Sequence, residues 1–344
     1  MADSVLTTNF SYVYPGILPL EIFFKPTEDT PALSELAVID TGIRFKKRYN
    51  LLNQLDKILK PYGGCTRTFT PGGQEIFNRD IVVEEFEINK EWCKDDFTEQ
   101  LAGKYNHLAQ EWLKSGNSSF DPSGTPIGRI IDQLLEDALR RDVFRRIMFA
   151  DYADASEDWN TINGMWTQLI DAAQGSSSSY CVRRGADFGL TLSDGEALAG
   201  LKSITEGSAN ILKAIPNSKK NIWVTGSVFE NLLSSYESNS TGSDDQFGLL
   251  QKGPGGFLQY RGLDVKPIYF WDTLLEDSDN PLFGTVKHLA LYTTRDNHVI
   301  GTDAGSDLTT IEGWYERKDR KYYFEGDMKM GYTYLHCDLQ TIGF

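Results

Sequence analysis

Thr125 to Asp151 reads TPIGRIIDQLLEDALRRDVFRRIMFAD, and the fold turns on this stretch. Thr125 can cap a first turn through its hydroxyl, and Pro126 suits the first helical position, where a missing N–H costs nothing. Ile127, Ile131, Leu134, Leu135, Ala138, Leu139, Val143, Ile147 and Met148 recur at three- and four-residue steps. The spacing predicts a helix of about seven turns with an apolar stripe along one face. Asp132, Glu136 and Asp137 precede Arg140, Arg141, Arg145 and Arg146, an order that complements the helix dipole. Glu136–Arg140 and Asp137–Arg141 add favourable pairs four residues apart. Taken alone, this is an amphipathic helix with a solvated charged face, so its surroundings must say what it serves.

Upstream, residues 1–40 hold Pro15, Pro19, Pro26 and Pro31, with little helical periodicity until Ala32–Ile39, which predicts an extended arm. From Thr41 to Trp92 the pattern turns strand-like at both ends. Ile43, Phe45 and Tyr49 alternate with Arg44, Lys46 and Arg48, while Phe86 and Ile88 alternate with Glu85 and Glu87. One polar face is basic and the other acidic, so antiparallel pairing of these two strands is expected to set opposite charges across from each other. Pro61–Gly64 and Pro71–Gly73 supply turns, and Asn53–Leu59 reads as a short helix. A connection of about thirty residues is long for a compact domain and points to a function of its own. Phe97–Leu113 reads as a second helix with Leu101, Tyr105, Leu108 and Trp112 on one face, followed by a polar turn at Ser115–Gly124.

Downstream the character is mixed α/β. Helices are expected at Trp159–Ala173, after an irregular Asn163-Gly164 step, within Ser193–Ala214 from near the Ser193-Asp194-Gly195-Glu196 capping box, and at Ser227–Tyr236. Asn221–Thr225 reads as a buried strand, and further strands are expected at Leu258–Tyr260, Leu263–Ile268, Leu289–Thr293, Tyr322–Glu325 and Lys329–Asp338. Gln174–Tyr180 and Glu237–Asp245 read as loops. No internal repeat of solenoid or propeller period is present.

With 344 residues, 40% of them hydrophobic, the chain can bury a substantial core as two domains or one elaborated one. It has no apolar run of membrane-spanning length and no signal-peptide pattern after Met1, so a cytosolic product is expected. Cys65, Cys93, Cys181 and Cys337 form no CxxC pair and read as reduced thiols. The net charge of −15, from 34 basic and 49 acidic residues, repels phosphate backbones. A dedicated nucleic-acid binder is thereby disfavoured, whereas a container wall that does not grip its contents is compatible.

The search for chemistry returns little. His107, His288, His298 and His336 offer no metal-ligand spacing and read as surface or packed residues. Gly253-Pro-Gly-Gly256 lacks the ending of a phosphate loop and reads as a turn. Ser227 and the Ser176–Ser179 run show no nucleophile elbow and no identifiable histidine partner. Asp272, Glu276, Asp277 and Asp279 read as a polar surface loop, and Asp303 with Asp307 lacks the spacing of a calcium loop.

The closing segments carry a resemblance. Leu289-Ala-Leu-Tyr-Thr293, Thr309-Thr-Ile-Glu-Gly-Trp-Tyr315, Tyr322–Glu325 and Met328-Lys-Met-Gly-Tyr-Thr-Tyr-Leu335 look like strands that return to a domain begun much earlier. Together with the arm, the extended loop and the long helix, this order resembles the major capsid proteins of tailed bacteriophages, the Hong Kong 97-type fold. The resemblance implies an α+β fold with an N-terminal arm (1–40), an extended β-hairpin loop (41–92) and a peripheral domain with its spine helix (93–155). A mixed α/β axial domain (156–305) and return strands of the peripheral domain (306–344) complete it. It also implies a non-enzymatic protein without cofactor or metal, which self-assembles as hexamers and pentamers into an icosahedral shell around double-stranded DNA. Implied partners are other copies of itself and separate scaffolding, portal and decoration proteins, with no membrane and no sequence-specific DNA binding; the location is the virion, after assembly in the host cytoplasm. Arg44, Lys46, Arg48, Glu85, Glu87, Arg145 and Arg146 are the candidate subunit-interface residues. No isopeptide crosslink is carried over, although Lys46, Lys47 and Lys57 lie in the extended loop. Two other readings stand beside it: an encapsulin-like bacterial compartment shell, and a carbohydrate-active enzyme resting on the acids with seven Trp and sixteen Tyr.

Overall fold

The long helix, α1, runs from Pro126 to Phe149. Val143, Phe144, Ile147, Met148 and Phe149 are buried, as the stripe requires, while Ala138 is exposed. Ala138 lies two turns before Arg145 on the same side of the helix, so it falls just off the buried face. The computed structural model describes residues 33–52, 76–93, 126–174, 182–239, 250–252, 258–303, 312–316, 318 and 321–344. The expected arm before residue 33, the helices at Asn53–Leu59 and Phe97–Leu113, and the turns at Pro61–Gly64, Pro71–Gly73 and Gly253–Gly256 lie outside them.

The chain divides into two compact units. One comprises Met1–Asp29, Glu85–Val143 and Gly305–Lys329; the other comprises Thr30–Glu84, Phe144–Ala304 and Met330–Phe344. In the second unit, a helical turn at Leu33–Leu36 leads into β1 (Val38–Asp40), where helical periodicity was expected across Ala32–Ile39. Then β2 (Lys46–Leu52) pairs antiparallel with β3 (Ile76–Val82) as a two-stranded ribbon. In the first unit, β4 (Glu84–Cys93) pairs with a long strand near the end of the chain.

After α1 come α2 (Met165–Gln174), β5 (Arg183–Ala186) and α3 (Glu196–Gly207). The capping box is half formed: Glu196 accepts from the Ser193 N–H at 2.7 Å, but Gly195 stands at the cap with φ 78°. Ser208 is extended, so the helix expected within Ser193–Ala214 ends there and a short second one follows at Asn210–Ala214. β6 (Lys220–Thr225), α4 (Gly226–Asn239), β7 (Leu250–Lys252), β8 (Leu258–Tyr260) and β9 (Leu263–Ile268) follow. Arg261 (φ 51°) and Gly262 (φ 74°) join β8 to β9 in a tight turn that needs two left-handed residues, and only the glycine adopts that geometry freely. Next comes α5 (Tyr269–Glu276), which replaces the expected polar loop at Asp272 and Glu276; Phe270, Trp271, Leu274 and Leu275 are its buried side. β10 (Ala290–Thr294), β11 (His298–Gly301), β12 (Glu312–Glu316), β13 (Lys321–Tyr334) and β14 (Gln340–Gly343) end the chain, with β13 joining two segments expected as separate strands.

The main sheet has seven strands in the order β5-β14-β10-β6-β9-β8-β7. On one face, Ile222, Val224, Val265, Ala290 and Tyr292 pack against Ala197, Leu201 and Ile204 of α3 and Val228 and Leu232 of α4. Elsewhere in this unit Trp166 of α2 meets Trp271 of α5 edge to face at 5.2 Å, and Phe144 meets Phe270 at 5.7 Å. β11 pairs with β1 on one side and with the Gly331–Tyr334 stretch of β13 on the other. In the first unit, β12 and β4 both pair with β13.

Candidate assembly surfaces

The β2–β3 ribbon holds three of the candidate residues or their neighbours. Strand β2 was expected to face the acidic strand at Glu85 and Glu87; it instead pairs with β3, from Lys46↔Val82 to Leu52↔Ile76. The acid that answers the basic strand is Asp80. Lys46 Nζ lies 2.7 Å from it, and Arg48 donates to both carboxylate oxygens, at 2.8 and 3.1 Å. These donors hold the Asp80 carboxyl far below the ordinary carboxylate range, first through the Arg48 hydrogen bond and then through Lys46. On the other face, Lys47 and Tyr49 donate to Asp40 of β1; burial opposes its ionisation, but the two hydrogen bonds win and lower its pKa. Glu85 and Glu91 are instead engaged by Lys329 and Lys321 of β13, at 2.7 and 2.8 Å. Glu87 accepts from Asn89 at 3.1 Å, and Arg44 is exposed.

The ribbon's root is seated in a small core of its own. Ile43, Ile81, Val83 and Val299 form a small buried core. Gly301 and Gly331 stand opposite each other on β11 and β13, and a Cβ on Gly331 would lie 2.0 Å from the Val82 carbonyl oxygen. Only glycine permits that approach, so the pair is a seat for the root. Beside it Phe45 is 72% exposed and Val82 49%, and at the far end of the ribbon Ile76 is 62% exposed and Phe77 48%. Four large apolar side chains on and beside this two-stranded ribbon are thus exposed in the single chain.

Arg145 and Arg146 are placed elsewhere. The Arg145 guanidinium stacks 4.6 Å from the ring centre of buried Trp159. Arg146 donates to Thr161 Oγ1 at 3.2 Å and lies 3.7 Å from Asp158. Both tie the end of α1 to the turn that follows it.

Ser227 does have a histidine partner, contrary to the sequence expectation. It sits at the strand–turn–helix junction between β6 and α4, with Oγ 2.8 Å from His288 Nδ1 and 3.2 Å from Thr225 Oγ1. Burial lowers the His288 pKa. Yet the backbone N–H groups of Gly226 and Ser227, the donors that would face a developing oxyanion, point at the Asp272 carboxylate, at 2.5 and 3.1 Å. An anion therefore occupies that position already, and the cluster secures the start of α4. The junction was visible in the sequence; the histidine, 61 residues away, was not.

Two further groups depart from the sequence reading or complete it. Cys337 is disulfide-bonded, which corrects the expectation that all four cysteines are reduced; contacts across the fold, invisible in residue spacing, decide such pairs. His298 is fully buried, 2.6 Å from Tyr332 Oη and 2.9 Å from Thr293 Oγ1, and burial pushes its pKa down to about 3. Among the described residues no group of three or more His, Cys, Asp or Glu is placed to hold a metal, and no helix is long and apolar enough to cross a membrane.

No protein-family model matches the chain, and no curated protein matches it by sequence. The folded chain is less isolated: it has the α+β fold of phage capsid proteins. A structure from Mycobacterium phage Ogopogo aligns over 96% of both chains with a TM-score of 0.55 and 10% identity. The capsid of Myoviridae phage XM1 aligns over 97% of this chain and 99% of its own, with a TM-score of 0.52 and 11% identity. A structure from Gordonia phage Cozz covers 96% of this chain and 91% of its own, with a TM-score of 0.52 and 11% identity. At such identities the likeness carries the fold and no residue role.

Proposed function

We propose that this protein is the major capsid protein of a tailed bacteriophage, a Hong Kong 97-type subunit that self-assembles into an icosahedral shell around double-stranded DNA. The observation that carries the reading is the end-to-end structural match to the phage XM1 capsid chain, 97% of one and 99% of the other. A shared element or a single domain would not align over both whole chains. In this reading residues 1–40 are the arm, 41–92 the extended loop, 93–155 the peripheral domain with α1 as its spine, 156–305 the axial domain and 306–344 the return strands. The exposed apolar side chains of the ribbon support the loop's role, because a neighbouring copy that covers them completes a surface the single chain leaves open.

The shell consists of hexamers and pentamers, is assembled in the host cytoplasm and is carried in the virion, with separate scaffolding, portal and decoration proteins as partners. A net charge of −15 suits a wall that encloses DNA without gripping it. Arg44, Lys46, Arg48, Glu85 and Glu87 remain candidate contacts between subunits, because all five are exposed. Arg145 and Arg146 act first within the subunit and join an interface only as part of that folded corner. The protein performs no catalysis of its own. Sedimentation of the purified wild-type protein across concentration and salt tests the reading: discrete, very large closed assemblies are expected, and a monomer under every condition overturns it.

A further inference from the structure

His288 carries a buried polar atom with nothing to bond. The residue is only 9% exposed; Nδ1 lies 2.8 Å from Ser227 Oγ, while Nε2 is buried with no hydrogen-bond partner among the described residues. A neutral ring that accepts the Ser227 hydroxyl at Nδ1 keeps its one proton on that Nε2. Behind Ser227 the contacts continue. Thr225 Oγ1 is 3.2 Å from Ser227 Oγ and accepts from the Leu289 N–H at 3.2 Å, and the Thr225 N–H donates to the Leu289 carbonyl at 3.0 Å. The ring is thereby tied to the last residue of β6, the first turn of α4 and the segment that leads into β10.

A second proton changes this arrangement at both nitrogens. Nδ1 becomes a donor, so the Ser227 hydroxyl must turn towards Thr225, and the Nε2–H becomes part of a buried cation without an acceptor. Burial resists that charge most strongly; the Leu190 carbonyl, Asp272 and Glu196 favour it, and Lys287 opposes it. Leu190 belongs to the loop between β5 and α3, Glu196 to the first turn of α3, Asp272 to α5 and Lys287 to the histidine's own segment. Neither carboxylate is idle. Asp272 accepts from the Gly226 and Ser227 N–H groups, at 2.5 and 3.1 Å, and Glu196 accepts from the Ser193 N–H at 2.7 Å. Whichever of them turns to the charged ring lets go of a helix start.

We propose that His288 is a proton-operated latch, closed while the neutral ring accepts the Ser227 hydroxyl and opened when a second proton reaches the ring, so that acid loosens the start of α4 and the junction of β6 with β10. The direction follows from where the proton binds more readily. An open, solvated ring takes it at the ordinary histidine value of about 6.5, and the closed ring only at a lower pH, so the latch is shut above about pH 6.5 and opens as the pH falls below it. All of these groups lie within one compact unit of a single chain, so the latch holds or fails apart from shell formation.

The test is hydrogen–deuterium exchange of the full chain, read by mass spectrometry from pH 5 to 7 and corrected for the intrinsic pH dependence of exchange. Peptides over residues 221–232 and 286–293 are expected to exchange about tenfold faster at pH 5 than at pH 7. The reference is the peptide around His298, whose folded value of about 3 keeps that ring neutral across this range. His288→Asn keeps an acceptor for Ser227 and cannot titrate, so it should hold its neutral-pH protection throughout. A wild type without the step, or a step that persists in His288→Asn, overturns the proposal. Ser227→Ala leaves the ring untied and should exchange at pH 7 about as fast as the wild type does at pH 5. Full wild-type protection in that variant overturns the proposal as well, even if His288→Asn does not fold.

Discussion

The β2–β3 ribbon and the seven-stranded sheet belong to the same compact unit and follow opposite rules. In the sheet, β10 and β14 are buried along their whole length and β6 at all but one position, and its buried Thr293 and Gln340 hydrogen-bond to His298 and Asn297 of the neighbouring segment. Among the described residues of the ribbon only Ile81 of β3 is buried, while Lys46, Lys47 and Arg48 and several large apolar side chains are exposed. A packed sheet is complete in one copy of the chain. Two isolated strands are marginal in water, and here the Gly301–Gly331 seat and the Asp40 contacts anchor them while Phe45, Ile76 and Phe77 stay exposed.

The largest effect should come from removing the ribbon's apolar surface. Phe45→Ser combined with Ile76→Ser and Phe77→Ser is expected to leave the unfolding midpoint nearly unchanged while assembly is lost, read by sedimentation beside circular dichroism. Equal loss of both would mean that these side chains serve the fold.

Next are changes inside the packed region, which should strike stability and not assembly as such. Trp166→Ala removes a fully buried indole from its edge-to-face contact and should cost about 3–5 kcal/mol in urea unfolding. Acid attacks the same region through His298. Its folded pKa, about 3, lies below the unfolded value of about 6.5, so between these pH values the unfolded chain binds a proton that the native one refuses. Stability should be flat above about pH 6.5 and decline below it, by on the order of 4 kcal/mol at pH 3. His298→Gln should remove that share of the slope; an unchanged slope would place the acid sensitivity elsewhere.

Smaller effects belong to charges. Reversing Arg145 and Arg146 to Glu breaks the stack on Trp159 and the contacts to Thr161 and Asp158, and should lower stability by about 1–2 kcal/mol, with any assembly defect following from it. Smallest is Asp80→Asn, since its partners are solvent-exposed: the unfolding midpoint should hold, and only the salt dependence of assembly should shift.

What was legible in the sequence follows from how local each signal is. Pro126 and the three- and four-residue spacing marked α1, and the apolar run of Asn221–Thr225 marked β6, because both depend on neighbours along the chain. The helix at Tyr269–Glu276 was missed although Phe270, Trp271, Leu274 and Leu275 have helical spacing, since Asp272 and Glu276 gave it the look of a polar loop. Opposite charge suggested that the basic strand at Arg44, Lys46 and Arg48 faces the acidic one at Glu85 and Glu87, but charge does not choose among acids; strand register does, and it delivered Asp80. The His288 partner of Ser227 and the disulfide at Cys337 arise only when distant segments meet, so residue spacing held no trace of them.

The central claim is that the ribbon is finished only by a second copy of the chain. Electron micrographs of the purified wild type beside the Phe45, Ile76 and Phe77 variant test it most directly. Closed, uniform shells from the wild type and none from a folded, soluble variant are the predicted result; shells of the same size and yield from both would contradict it.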